Sequence, residues 1–470
     1  MALTKKPVNG MKDILPEEMQ IRDYVIQVIK ETYRSFGFTP IDTPCMEQIG
    51  NLSSKQGGEN EKLIFKVLKR GEKLNLETAQ SEDDVTDFGM RYDLTVPLVR
   101  FYSNNANQLP SPFKALQIGN VWRADRPQRG RYRQFMQCDI DILGESGNLA
   151  EIELILATTT TLVKLGFKNF QVRINERRIL KAMAAYSGFL EEDYDTVFVI
   201  LDKMDKIGLD GVAQELEKGG FAQEAIDKYV TLFHSLGTGK NNAGDANVGK
   251  DAIEKNGISY LAETLFGFLD PQVAQDLQEI ISSVQAASTP AIGAEAANTS
   301  TVNVPTASTP AANMPTASTP ATSVPKIGAP EFSLVFDPTL VRGMSYYTGT
   351  IFEIAMPEFG GSCGGGGRYD KMVGQFTGKD VPACGCSLGF ERIILLLLEN
   401  GFQIPEKPAK VAYLMEKGCS GEAVCEIMKK AQEERKKGTQ VLVARMNKNK
   451  KFQKEQLTKE GYEEIEEFFV

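Results

Sequence analysis

The chain has 470 residues and a net charge of −9, from 53 lysines and arginines against 62 aspartates and glutamates. That length suggests two or three domains, and the acidic balance argues against bulk coating of nucleic acid while leaving room for a local basic groove. No apolar run reaches the length of a membrane span and the start lacks a signal-peptide core, so neither membrane nor secretory targeting is expected.

The seven cysteines (Cys45, Cys138, Cys363, Cys384, Cys386, Cys419 and Cys425) are odd in number and form no Cys-x-x-Cys pair. They read as reduced cytoplasmic thiols. A single histidine, His234, makes a mixed-ligand zinc site improbable and nearly excludes Ser–His or Cys–His catalysis. It lies in an apolar helical pattern, which predicts a structural role.

In chain order, Pro16 opens a helix. Met19, Tyr24, Ile26, Ile29 and Tyr33 recur in it at about helical spacing, and Gly37 ends it. Residues 38–46 form a short strand, which Pro40 and Pro44 confine to an edge or interface. Another strand is expected over 63–68, and a charged loop over 77–88. Asp93 and Thr95 then alternate with apolar neighbours and can face one site, while Pro97 starts a helix.

Residues 121–141 carry the strongest signal. Arg123, Arg126, Arg129, Arg131 and Arg133 fall within eleven residues, interrupted by Pro127 and Gly130. They cannot share one helix. The pattern predicts a strand ending near Arg123, a loop over 127–130, and a strand returning over 132–142. Alternation then puts Arg133, Phe135, Gln137, Asp139 and Asp141 on one face. Such a face is a poor core and a good polar pocket. Guanidinium groups on the adjoining loop match phosphate in a bidentate way. The arginines alone would fit a solvated basic hairpin; the polar strand beside them favours a phosphate site.

A helix over 151–165 and a strand over 170–174 follow. Residues 176–285 then read as helix after helix, broken at Gly188, Gly208, Gly219 and Gly257, which predicts a helical insertion. Residues 244–251 nearly match a phosphate loop but have Asp251 where Ser or Thr should bind magnesium, so a helix-connecting loop is the better reading. Residues 286–330 are Ala/Ser/Thr/Pro-rich with a ten-residue repeat, the composition of an extended, mobile linker. Strands resume at Phe332. The glycines of 360–367 allow close approach to a ligand or simply make turns. Residues 383–398 read as a glycine-marked turn entering an apolar helix. Arg392 lies in its first half, either salt-bridged in the core or pointing at a ligand. After a boundary at 405–408 comes strand 411–415, helix 422–437, strand 440–444 and helix 451–459, a small α/β unit with a basic patch from Arg445 to Lys454.

Four segments occur in one order: Arg91-Tyr-Asp-Leu-Thr-Val-Pro97, the arginine hairpin, Leu340-Val-Arg-Gly-Met-Ser-Tyr-Tyr-Thr-Gly349 and Gly385-Cys-Ser-Leu-Gly-Phe-Glu-Arg392. Together they resemble the histidyl-tRNA synthetases, a class II aminoacyl-tRNA synthetase family. The resemblance covers nearly the whole chain except 286–330. It implies an α+β fold, with an antiparallel sheet flanked by helices, a helical insertion and a small C-terminal α/β domain. The implied domains are 1–175 and 331–404 (catalytic), 176–285 (insertion), 286–330 (linker) and 405–470 (anticodon-binding-like, apparently shortened). It also implies a cytoplasmic homodimer with Pro44 near the interface, L-histidine and the tRNA for histidine as substrates, and ATP with Mg2+ but no metal cage built by the protein.

Carried over by position, Arg123 should hold the ATP α-phosphate, Asp125 should lie near adenine, and Arg131 and Arg392 should contact the triphosphate. Asp93, Thr95 and Gln137 should hold the α-amino end of histidine, with Leu94 beside them in the histidine-binding set. Asp141 with Tyr346 or Tyr347 should hold the imidazole. Arg342 belongs to both the catalytic and the histidine-binding residues and would stabilise the pentavalent phosphate. Arg126 and Gln128 resemble residues that approach the tRNA acceptor end. The family usually has Asp where this chain has Ser345, which raises altered specificity as an alternative. A non-catalytic histidine sensor, like the regulatory subunit of ATP phosphoribosyltransferase, is the other.

Overall fold

Pro16 occupies the first position of the helix Pro16–Ser35, where its missing N–H costs nothing. The buried stripe of that helix is Arg22, Val25, Ile29, Thr32 and Tyr33, not the expected row from Met19, which is exposed. A charged residue belongs to the inner face because Arg22 pairs with Glu391 there, at 2.7 Å. The structure, a computed structural model, describes residues 3–53, 60–237, 250–288, 331–341, 346–405 and 408–469. Arg342, Ser345, residues 289–330 of the low-complexity stretch and 244–249 of the phosphate-loop-like stretch lie outside the described residues. Two units are distinguished, Met1–Asn400 and Gly401–Val470.

The strands of the first unit are β1 (Thr39–Pro40), β2 (Met46–Gln48), β3 (Lys66–Leu68), β4 (Thr86–Met90), β5 (Phe113–Trp122), β6 (Gln134–Leu143), β7 (Phe170–Glu176), β8 (Phe332–Phe336), β9 (Thr350–Met356), β10 (Gly361–Arg368) and β11 (Ala383–Leu388). Eight form one sheet in the order β1-β5-β6-β11-β10-β9-β7-β8. Its interior pairs are antiparallel, and both edges are closed by parallel pairs, β1 with β5 and β7 with β8. Parallel neighbours need a long crossover, and the helical insertion lies between β7 and β8 in sequence. β2, β4 and β3 form a separate small sheet.

Several expectations change. The proline-bearing strand is cut to β1, at the sheet edge as expected, because Met46 departs to the small sheet. The charged loop holds a short helix, Glu82–Val85, boxed by Ser81 and Asp84, and then strand β4. Gly257 lies inside the helix Lys250–Thr264 rather than breaking it; a side chain there would meet the Phe336 ring at 3.3 Å. His234 lies on the exposed side of its helix. The largest differences are at the glycines. β10 and β11 are central strands, not turns, since ladders on both flanks outweigh the poor strand propensity of glycine.

Period-two alternation divides β6. Cys138, Ile140 and Ile142 face the helix-covered core, while Gln137, Asp139 and Asp141 face the other way. On the helical side the sheet is pinned by a buried pair. Arg368 of β10 grips Glu151 of the helix Leu149–Lys164 through two bonds of 2.7 and 2.6 Å, and also donates to the Glu145 and Gly147 carbonyls. Glu151→Gln leaves that buried guanidinium with Asp370, at 3.5 Å, as its remaining counter-charge. It is expected to cost about 3–5 kcal/mol in urea unfolding; an unchanged unfolding midpoint would contradict this.

The second unit holds β12 (Lys410–Met415), β13 (Gln440–Arg445) and β14 (Glu464–Phe468), all parallel in the order β13-β12-β14. Val411, Tyr413 and Met415 join one apolar cluster, and Ala412 and Leu414 join the other. Helices Gly421–Lys436 and Lys450–Lys459 contribute Ile427 and Leu457 to these clusters. β14 lies beyond the last expected element, the helix over 451–459; its partner β12 supplies pairing information that the local sequence does not display.

Candidate active site

The hairpin of β5 and β6 sets one wall of a cavity of about 410 Å³. Arg123 follows β5 and is held at three points. Its N–H donates to the Arg133 carbonyl (2.8 Å), its Nε to the Tyr92 carbonyl (2.8 Å), and its guanidinium stacks on Phe135 at 5.1 Å. The connecting loop is tightened by reciprocal Gln128–Arg131 backbone bonds of 3.1 and 2.9 Å. Arg129 reaches Glu399 at 2.5 Å, and both Arg129 and Arg392 lie over the Phe359 ring, at 5.4 and 5.1 Å. Arg392 also donates to the Ser362 carbonyl. Arg133 binds the Gly10 and Asp125 carbonyls and so fastens the N-terminal turn to the loop. Arg129 and Arg133, unassigned from sequence, thus have structural partners.

Asp93 precedes the helix Thr95–Asn105, which starts two residues before Pro97, and its Oδ1 accepts the Val96 N–H at 3.1 Å. A helix start, rather than strand alternation, therefore brings both Asp93 and Thr95 to the cavity. Arg91 does not line it. Its guanidinium donates to the Thr43 and Asn120 carbonyls, in space left by Gly119.

The floor is built from β6, β10 and β11. In register, Gly385 lies opposite Asp141 and Ser387 opposite Asp139. Tyr369 donates its hydroxyl to Asp141 Oδ1 at 2.6 Å, and Gln137 donates Nε2 to Ser387 Oγ at 3.0 Å. Tyr346 packs edge-on against Tyr369 and close to Tyr347, with ring centres 6.1 and 4.6 Å away. Glu391 is clamped by Arg22 and accepts the Met136 N–H at 3.2 Å, which fixes the start of β6.

Charge is unevenly distributed. Arg123, Arg131 and Arg392 gather toward the loop, while Asp93, Asp139 and Asp141 line the floor, each 3 % exposed. Burial raises the Asp93 carboxyl. Burial, with Asp141 nearby, pushes Asp139 well above the usual range. Burial also carries Asp141 to about 7, although the Tyr369 hydroxyl acts in the opposite direction. Among the described residues, Asp93 Oδ2, Gln137 Oε1 and Asp139 Oδ1 have no hydrogen-bond partner. The arrangement suits an anionic ligand at the arginines joined to one with several N–H donors on the floor.

Ten of the residues singled out from sequence line this one cavity: Asp93, Thr95, Arg123, Asp125, Arg131, Gln137, Asp141, Tyr346, Tyr347 and Arg392. Leu94 does not. It is 1 % exposed in the core, and its carbonyl accepts from Gln117. Arg126 and Gln128 are exposed on the loop outside the lining. Tyr369, Ser387 and Glu391 were not singled out. Their contribution depends on strand register and on Arg22, neither of which local sequence displays.

The family model described as histidyl-tRNA synthetase matches residues 10–256 and 241–393. The histidine–tRNA ligase of Leifsonia xyli subsp. xyli is 40% identical over 405 residues, covering 84% of this chain and 81% of that protein. That of Christiangramia forsetii is 34% identical over 404 residues, covering 83% and 76%. Among solved structures, histidyl-tRNA synthetase from Nostoc sp. PCC 7120 superposes with a TM-score of 0.71 at 24% identity, covering 98% of this chain and 90% of that one. An ATP phosphoribosyltransferase regulatory subunit/histidyl-tRNA synthetase from Bacillus halodurans C gives 0.69 at 17% identity, covering 100% of each. These two establish likeness of fold. With a family model matched across most of its length and relatives above one-third identity, the chain belongs to the histidyl-tRNA synthetase family.

Proposed function

We propose that this cavity activates histidine with ATP and passes it to the tRNA for histidine, releasing pyrophosphate and then AMP. The observation that carries the reading is the juxtaposition of three arginines with a carboxylate-rich floor in one cavity. Attack of the histidine carboxylate on the α-phosphate places negative charge at the reacting centre, and fixed cations lower that barrier without a general base. Arg123 holds the α-phosphate, Arg131 and Arg392 the triphosphate, and Asp125 lies beside adenine. Arg342 adds charge at the pentavalent phosphate. Asp93, Thr95 and Gln137 hold the amino end, and Asp141 with Tyr346 or Tyr347 the ring. Arg126 and Gln128 approach the acceptor end, in keeping with their exposure on the loop.

Among the described residues no group of three carboxylate, thiol or imidazole side chains is close enough to hold a metal. The Mg2+ of MgATP would ride on the phosphates. The homodimer and the cytoplasmic location belong to the same proposal; the free cysteines support a reducing compartment. No helix of the described residues is long and apolar enough to cross a membrane. The histidine-sensor reading is disfavoured by the retained arginines. Incubation with tRNA, ATP and labelled histidine should give acid-precipitable label; its absence with folded protein would overturn the reading.

The carboxyl shifts carry a pH signature. Folded-state values are raised, so the native state holds protons that the unfolded chain has released by about pH 4–5. This contribution to stability is present at low pH and is lost as pH rises toward and through 7, where Asp141 titrates. The α-ammonium group of histidine, positively charged at both about pH 5.5 and about pH 8, compensates the floor carboxylates once they are ionised. Adding histidine should raise the melting temperature more at about pH 8 than at about pH 5.5; a shift independent of pH would contradict the assignment.

A further inference from the structure

Asp139 is the one carboxylate on the cavity floor without a role above. It lies between Gln137 and Asp141 on the same face of β6, with roughly 7 Å between successive members of that row. Asp141 is occupied by the Tyr369 hydroxyl. Ser387, across the ladder, accepts from Gln137 Nε2 at 3.0 Å and hydrogen-bonds to the Asp139 carboxylate. This chain sets the Gln137 amide with its NH2 on Ser387. Among the described residues its Oε1 then has no partner, and neither do Asp93 Oδ2 and Asp139 Oδ1. The three residues are 9, 3 and 3 % exposed and all line the cavity. Buried acceptors without donors are costly, and a ligand that supplies the donors recovers that cost. An alkylammonium group carries three N–H donors and one positive charge. Two carboxylate oxygens and one amide oxygen match it in number and in sign.

We propose that Asp139 is a recognition residue for the α-ammonium group of the amino-acid substrate, shared with Asp93 and Gln137, and that Ser387 is the positioning residue that holds Asp139 and Gln137. The inference rests on the proposal that this cavity activates histidine. It divides labour along one strand: Asp141, held by the Tyr369 hydroxyl, reads the ring, and Asp139 reads the ammonium. Both carboxylates face the same cavity, but they recognise opposite ends of the same substrate.

Two fragments separate these ends as inhibitors of histidine-dependent ATP–pyrophosphate exchange. Histamine has the ring and the ammonium. 3-(Imidazol-4-yl)propanoate has the ring and the carboxylate. Asp139→Asn keeps the shape and removes the charge. It should raise the KM for histidine and the Ki for histamine by about tenfold or more, leaving the propanoate Ki and the KM for ATP at wild-type values. Ser387→Ala should raise the histidine KM with little change in kcat, and Ser387→Thr should restore it. Without ligand, Asp139→Asn should melt no lower than wild type, because a neutral amide replaces a buried acid group whose ionisation burial and Asp141 oppose; this separates recognition from misfolding. Equal weakening of both fragments, or unchanged histamine inhibition, overturns the proposal. Wild-type protein without histidine-dependent exchange would instead overturn the reading on which it rests.

Discussion

Replacing Arg123 by alanine is expected to lower histidine-dependent ATP–pyrophosphate exchange by about 10²–10³-fold, the usual loss when one preorganised charge at the reacting centre is removed. The side chain is placed before any ligand arrives. Tyr92 fixes its Nε and Phe135 supports its face, so little ordering remains to be done during reaction. The substitution also frees the Tyr92 carbonyl, at a cost of about 1–3 kcal/mol, and the melting temperature should fall modestly. Activity should therefore fall far more than stability. Exchange left near the wild-type rate would remove Arg123 from the reaction, and a collapse of the melting transition would show that it acts through the fold.

The second large effect is expected at a glycine. In Gly385→Ala the new methyl group would fall on the Asp141 carboxylate, 2.8 Å from its Cγ and 3.1 Å from the Tyr369 ring. Register leaves no escape, because residues 385 and 141 face each other across the β6–β11 ladder. The carboxylate must turn off the Tyr369 hydroxyl, breaking a 2.6 Å bond. Loss of one such charge-assisted contact is worth about 1.5–3 kcal/mol, or roughly 10–150-fold in the KM for histidine. Overpacking should add about 1–3 kcal/mol of destabilisation. The KM for ATP should stay near wild type, since the arginines lie toward the other end of the cavity. An unchanged KM for histidine would mean that Asp141 does not read the substrate.

These two residues differ in how far the sequence discloses them. Arg123 stands out from its neighbours, because five arginines around Pro127 and Gly130 leave few structural options. The polar face of β6 is equally legible, since alternation is a local property. Gly385 is not. Its neighbours Ala383, Cys384 and Cys386 look like a small-residue turn, and only the ladders to β6 and β10 make the segment a central strand. The same holds for the glycines of β10. Ladders are set by residues far away in sequence, so a glycine that makes room cannot be told locally from one that turns the chain. Arg22 is a related case. A buried arginine on an amphipathic helix is visible only once Glu391, 369 residues away, is brought beside it. Ser387 likewise gains meaning only from its register with Asp139. Asp93 was found for an imperfect reason: it reaches the cavity from a helix start, not from a strand.

In the proposed site one cavity binds ATP at its arginines and histidine on its acidic floor. Amino-acid-dependent ATP–pyrophosphate exchange by the purified 470-residue chain tests this most directly. Exchange is expected with histidine, with none above background for other proteinogenic amino acids, and the signal should be lost in Arg123→Ala. Absence of exchange with histidine in folded protein, or comparable exchange with a different amino acid, would contradict the proposed site.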